Sequence, residues 1–187
     1  MWHMKSALCI LLVVLVADGA SFAQSTWKGL RFGMSEAEVR TTYTGVLRKE
    51  VTENQETVLV DDSYELLGPA LSVPAKVELS LGKTGKLEVI NITAKNPFAN
   101  EKDEASASGS TLAAVNEVTQ RLTDKYGKPL TEEGQCELTA EMLLDRKPVL
   151  CNDTWKFEGQ NIKMFWSVFD GRLSDFILSY QPVPTDF

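Results

Sequence analysis

The chain has 187 residues with 26 acidic against 19 basic side chains, a net charge of −7 at pH 7. That balance argues against sequence-independent binding to nucleic acid or anionic lipid, where lysine and arginine supply the attraction. It contains one histidine, His3, and three cysteines, and one of each lies within its first ten residues.

Those first residues read as an export leader. Lys5 precedes an eleven-residue apolar run from Ala7 to Ala17, and the small residues Ser21 and Ala23 follow. A membrane span needs about 20 apolar residues, so the run predicts a secretory signal peptide over 1–23, cut between Ala23 and Gln24. The product is then periplasmic or secreted, with no stable membrane anchor. Cys9 sits too early in the run to be a lipid-bearing cysteine. Losing the leader removes His3, which excludes Ser-His-Asp, Cys-His and His-metal sites from the remainder. It also leaves an even pair, Cys136 and Cys151, which in an oxidising compartment predicts one disulfide. Closing a loop of about 15 residues is worth roughly 3 kcal/mol in the chain-entropy model. A redox pair or half of a metal site is the alternative use of the same two residues.

The first unit, 24–95, opens with a capping box. Ser35 and Glu38 are spaced to satisfy each other's orphan backbone N–H groups, and Met34 and Val39 flank them as a staple. A helix from Glu36 to Tyr43 follows, with Gly45 placed to end it. Alternating apolar residues then predict strands around Val58 and Val60, Val77 to Leu81, and Leu87 to Ile92. On the last of these Leu87 and Val89 are expected on one face, with Ile90 and Ile92 on the other. Gly82-Lys83-Thr84-Gly85 reads as a hairpin turn.

From Asn96 to Ser110 the residues are small or charged apart from Phe98, and the segment reads as a linker. The second unit, 111–187, starts with a helix from Thr111 to Tyr126. Leu112, Val115, Val118, Leu122 and Tyr126 form its apolar stripe, and Gly127 and Pro129 stop it. Beyond the cysteine-closed segment, Trp155 and Phe157, then Ile162 to Val168, then Phe176, Leu178 and Tyr180 mark three strands, with Asp170-Gly171 as a tight turn. The whole predicts an α+β fold of two tandem helix-then-antiparallel-meander units, with helices packed on one sheet face.

Little catalytic chemistry is visible. Ser25-Thr26-Trp27-Lys28 and Lys83-Thr84-Gly85 match two elements of penicillin-recognising enzymes, but the Ser-Asp-Asn element is missing. Gly82-Lys83-Thr84 ends like a P-loop, yet Val77 stands where the first glycine belongs. The acidic residues Glu101, Asp103 and Glu104 lack the alternating spacing of a calcium loop. Asp61-Asp62 and Glu132-Glu133 are adjacent pairs, and neighbours on a strand point to opposite faces. No catalytic, cofactor or metal residue is therefore assigned. Phe165 and Phe169 are the surplus: they lie opposite the apolar face formed by Ile162, Met164, Trp166 and Val168. They are either covered on both sides or a candidate partner surface.

Phe32-Gly33-Met34-Ser35-Glu36-Ala37-Glu38-Val39 resembles the Gly-Met-Ser/Thr-x-x-x-Val helix start of small exported bacterial proteins. These include outer-membrane assembly lipoproteins of the SmpA/OmlA type and the β-lactamase inhibitor protein family. Lys125-Tyr126-Gly127-Lys128-Pro129 with Trp155 is similar to helix ends in other exported bacterial proteins. The inhibitor family is also similar in having two tandem helix-plus-sheet repeats. The matched positions cap helices, so the resemblance carries over no functional residue, and the lipid-anchoring cysteine of the assembly lipoproteins is lacking. The expectation is a non-enzymatic, cofactor-free module that binds another protein or an envelope component. An inhibitor of a basic cell-wall hydrolase or a β-lactamase, and a carboxylate-dependent hydrolase, are the competing expectations.

Overall fold

The computed structural model describes residues 27–68 and 71–183. The leader, its cleavage site and Ser25 lie outside the described residues. Eleven elements follow in order: α1 Glu36–Thr42, β1 Arg48–Val51, β2 Thr57–Glu65, β3 Pro74–Leu81, β4 Leu87–Lys95, α2 Glu104–Tyr126, β5 Thr131–Gly134, α3 Ala140–Leu144, β6 Val149–Phe157, β7 Gln160–Phe169 and β8 Arg172–Pro182. The strands form one eight-stranded sheet in the order β1-β2-β3-β4-β8-β7-β6-β5, antiparallel throughout. The two meanders thus merge rather than pack as separate sheets.

Their junction is β4 against β8, with Ile92 opposite Leu178 and Ala94 opposite Phe176. Each unit contributes its last strand, and equivalent strands meet antiparallel. The relation is that of a local two-fold axis through the sheet, which puts both units' helices on the same face. Beneath those helices lies one continuous core. It joins Leu30, Val39 and Tyr43 to Val115, Val118 and Leu122, and reaches Trp155 and Trp166 on the far strands.

The local signals explain the elements. The Ser35–Glu38 capping box is complete, and Val39 behind it is fully buried. The segment before it is stitched to the start of β4, where Gly33 N–H donates to Leu87 O at 2.8 Å and Leu87 N–H to Met34 O at 2.7 Å. Asp170 and Gly171 both have positive φ, 52° and 74°, as a two-residue turn matched to strand twist requires.

Four expectations need correction. Helix α2 begins at Glu104, not Thr111, so only Asn96–Asp103 is connection. The Ala-Ser run that resembles a linker is helix: Asp103 caps it by accepting from Ser106 N–H at 3.2 Å. Its small side chains also let the helix lie close to the sheet, with Ala107 fully buried. Secondly, Leu87 shares the core face with Ile90 and Ile92. A bulge at Glu88 slips the register, pairing Leu81 with Leu87 and Ser80 with Val89. Thirdly, β1, β5 and α3 add elements that periodicity did not reveal, because each is only four or five residues long. Fourthly, Gly45 is not what ends α1: the helix stops where expected, with the extended Tyr43 as its C-cap. Gly45 serves packing instead, since a Cβ there would run into Asp61 and the Tyr43 ring.

Candidate functional site

Among the described residues, the sheet has one face under the helices and one without them. On the second face, strands β6, β7 and β8 set out a small apolar patch. Phe165 lies directly opposite Ile177 on β8 and Asn152 on β6, while Leu150 lies opposite Ser167. Phe169, Leu150 and Ile177 are exposed at 46%, 49% and 37%. Phe165 is half-buried. Ser167, between these side chains, is almost fully covered and donates through its hydroxyl to Asp175 Oδ2 at 3.2 Å. The patch therefore has a satisfied polar floor and an apolar rim. Phe165 and Phe169 stand where alternation placed them, opposite Met164, Trp166 and Val168, which are all fully buried. Leu150 and Ile177 were missed, because each is a single apolar residue on its strand's outer row and joins the others only through register.

Cys136 and Cys151 form the expected disulfide. Gly134 makes it possible: at φ +91° it lets the chain leave β5 against the Leu150 carbonyl, where a Cβ would collide. Beside the bridge stands Asp153, buried to 2% exposure on the core-facing row of β6. Burial, with the Glu132 carboxylate opposite it, pushes its carboxyl up to about 6. The two sulfurs and an Asp153 oxygen all lie within 4.8 Å of one another. Sequence reasoning considered the cysteines but not Asp153, whose only local sign is its place two residues after Cys151, on the same face.

The carboxylates weighed for hydrolysis do not assemble. Asp61 is buried and accepts from Tyr43 Oη at 2.8 Å and from the Ser63 hydroxyl and amide at 2.7 and 2.9 Å. Burial works to raise its carboxyl, but the Ser63 bonds, the Tyr43 hydroxyl and the Lys28 charge prevail and hold it below the usual value. Asp62 pairs with Arg48 at 2.6 Å. Glu132 and Glu133 sit exposed on edge strand β5. A cleft of about 430 Å³ between α2 and α3 does bring Glu104 and Asp170 together, over a floor that includes Gly109, Leu112 and Leu143. Arg146 pairs with both, and both are open to solvent at 65% and 71%. Lys83, Thr84 and Gly85 are exposed on the β3–β4 turn, far too open to cradle a phosphate.

A second cleft, of about 210 Å³, lies at the other end of α2 between Trp27, Tyr64 and Tyr126. The Lys28 ammonium covers the aromatic cluster at its edge, 4.3 Å from the Tyr64 ring centre and 5.3 Å from that of Trp27. These cation–π contacts fasten the Trp27–Leu30 turn to the body.

No protein-family model, no curated protein and no solved structure matches the chain. No described helix is long and apolar enough to cross a membrane.

Proposed function

We propose that this is a non-enzymatic bacterial protein, periplasmic or secreted, that binds another protein through the helix-free face of its second unit. The observation that carries this reading is the patch on three adjacent strands in which Leu150, Phe169 and Ile177 are exposed around the half-buried Phe165. Isolated exposed apolar residues are ordinary, whereas a contiguous group on a rigid sheet suits an interface anchor. The leader-like segment and the Cys136–Cys151 disulfide support an oxidising compartment. The absence of a desolvated carboxylate pair in either cleft among the described residues favours binding over hydrolysis.

Phe169→Ser tests it. Anchor truncation commonly costs about 2 kcal/mol, close to thirtyfold in affinity, so capture of the partner from periplasmic extract should fall by that order. Thermal stability should stay within about 0.5 kcal/mol, as at other surface positions. Unchanged capture would remove the patch from the interface.

The net charge of −7 favours one narrower version, an inhibitor docking on a basic cell-wall hydrolase or a β-lactamase. Charge steering of that kind fades beyond about 8 Å at physiological salt. Inhibition should therefore weaken as salt rises, and no inhibition of either enzyme class at low salt would remove this version.

A further inference from the structure

The structure assigns a second site to Cys136, Cys151 and Asp153: a redox-gated site for a thiophilic divalent cation of the zinc class, closed as a disulfide and opened by reduction. Three observations converge on it. The two sulfurs and a carboxylate oxygen lie within 4.8 Å of one another. Asp153 is 2% exposed. Its Oδ1 is buried and accepts no hydrogen bond among the described residues. Burying a carboxylate without partners costs several kcal/mol, and the disulfide form makes no use of this oxygen.

The fold places the three groups deliberately close. Cys151 and Asp153 share the core-facing row of β6, with Trp155 next along it. Cys136 arrives from the connection between β5 and α3, held by the Gln135 N–H to Leu150 O bond at 2.8 Å. One cysteine is thus on a strand of the sheet and the other on a short connection outside it. Ligand atoms on one tetrahedral zinc stand about 3.5 Å apart, so on reduction the two bonded sulfurs must draw apart by roughly 1.5 Å while the carboxylate oxygen closes in from within 4.8 Å. Two thiolates and one carboxylate are a donor set zinc accepts, leaving a fourth position for water.

The electron count is simple. A dithiol reductant gives two electrons and two protons to the sulfurs, breaking the S–S bond, and itself becomes a disulfide. The cation then displaces the two thiol protons to solvent and bonds both thiolates and Asp153. Disulfide and metal are therefore mutually exclusive states of the same residues.

Cobalt(II) is the probe, because thiolate-to-cobalt charge transfer and tetrahedral ligand-field bands report the ligands directly. The purified chain is reduced with a phosphine, which takes oxygen from one water while that water's protons go to the sulfurs, and is titrated without oxygen. The expected result is one cobalt per chain with thiolate charge-transfer absorption, and none in the disulfide form. Asp153→Asn should weaken binding by roughly 10- to 100-fold, since even outer-shell partners matter that much, and Cys136→Ser should abolish the band. Circular dichroism runs alongside. If reduction unfolds the chain, refolding by cobalt supports the site, and failure to refold overturns it. A folded reduced chain that binds no cobalt, or binds it equally well as Asp153→Asn, also overturns it.

Discussion

Asp61 and Asp153 are both buried aspartates on the core-facing side of the sheet, yet their surroundings treat them oppositely. Asp61 has Ser63, Tyr43 and Lys28 to satisfy its charge, and its carboxyl is held below the usual value despite burial. The same contact, with burial as the larger cause, pushes the Tyr43 phenol well above its ordinary value, so it remains a donor. A carboxylate whose folded-state pKa is depressed contributes stability above its unfolded value, near 3.9, and loses it as pH falls through the folded one. Asp61→Asn should therefore be clearly less stable than the native chain at pH 7, with the gap narrowing below about pH 4. Denaturation midpoints at pH 7 and pH 3 would show this; an equal gap at both would deny the charge any role. Asp153 Oδ1 has no such partner among the described residues. In the disulfide-bonded chain at pH 7, Asp153→Asn should raise stability by on the order of 1 kcal/mol, a Tm gain of about 2–4 °C for a chain of this size. A lower Tm would mean the carboxylate is satisfied after all.

At the level of elements, α2 packs over β8 and β6, and its N-terminal half carries two contacts between side chain and backbone. Ser108 Oγ donates to Gly171 O at 3.1 Å, and Leu173 N–H donates to Thr111 Oγ1 at 3.0 Å. Both tie the helix to the β7–β8 turn. Thr111 is fully buried, so Thr111→Val leaves the Leu173 N–H without its acceptor and should cost about 1–3 kcal/mol in chemical denaturation. A loss below 0.5 kcal/mol would show that this donor finds another partner. These contacts also explain what could be read in advance. The Ser35–Glu38 box was legible because its signal is local, as were the Asp170-Gly171 turn and the alternation of Met164, Trp166 and Val168. The start of α2 was not, because serines and Gly109 dilute the helix preference of the alanines, and the burial of Ala107 that favours helix shows only in three dimensions. The Glu88 bulge was hidden as well, since one extra residue in a strand leaves the composition unchanged while turning Leu87 to the other face.

Over the whole molecule, the merger of the two meanders at β4 and β8 shapes the functional reading. Pairing Ile92 with Leu178 makes one wide sheet whose helices all gather on one side. The opposite side is left as a broad surface: Val58 and Val60 are buried on it in β2, and its exposed large apolar side chains lie on β6, β7 and β8. Repetition of the units was visible in the chain, but their joining was not, because edge-to-edge pairing between distant strands leaves no local trace. The same holds for the candidate site. Phe165 and Phe169 were visible as a surplus on one strand, whereas Leu150 and Ile177 became neighbours only through the register of three strands. The most direct test of this surface replaces Phe169 with a photo-reactive amino acid, and Asp124 on the exposed side of α2 as the control, in cells expressing the protein. Partner binding through the helix-free face predicts one discrete cross-linked protein from position 169, lost when Phe165→Ser is added, and none from position 124. Cross-linking from position 124 alone, or no discrete product from 169, would contradict it.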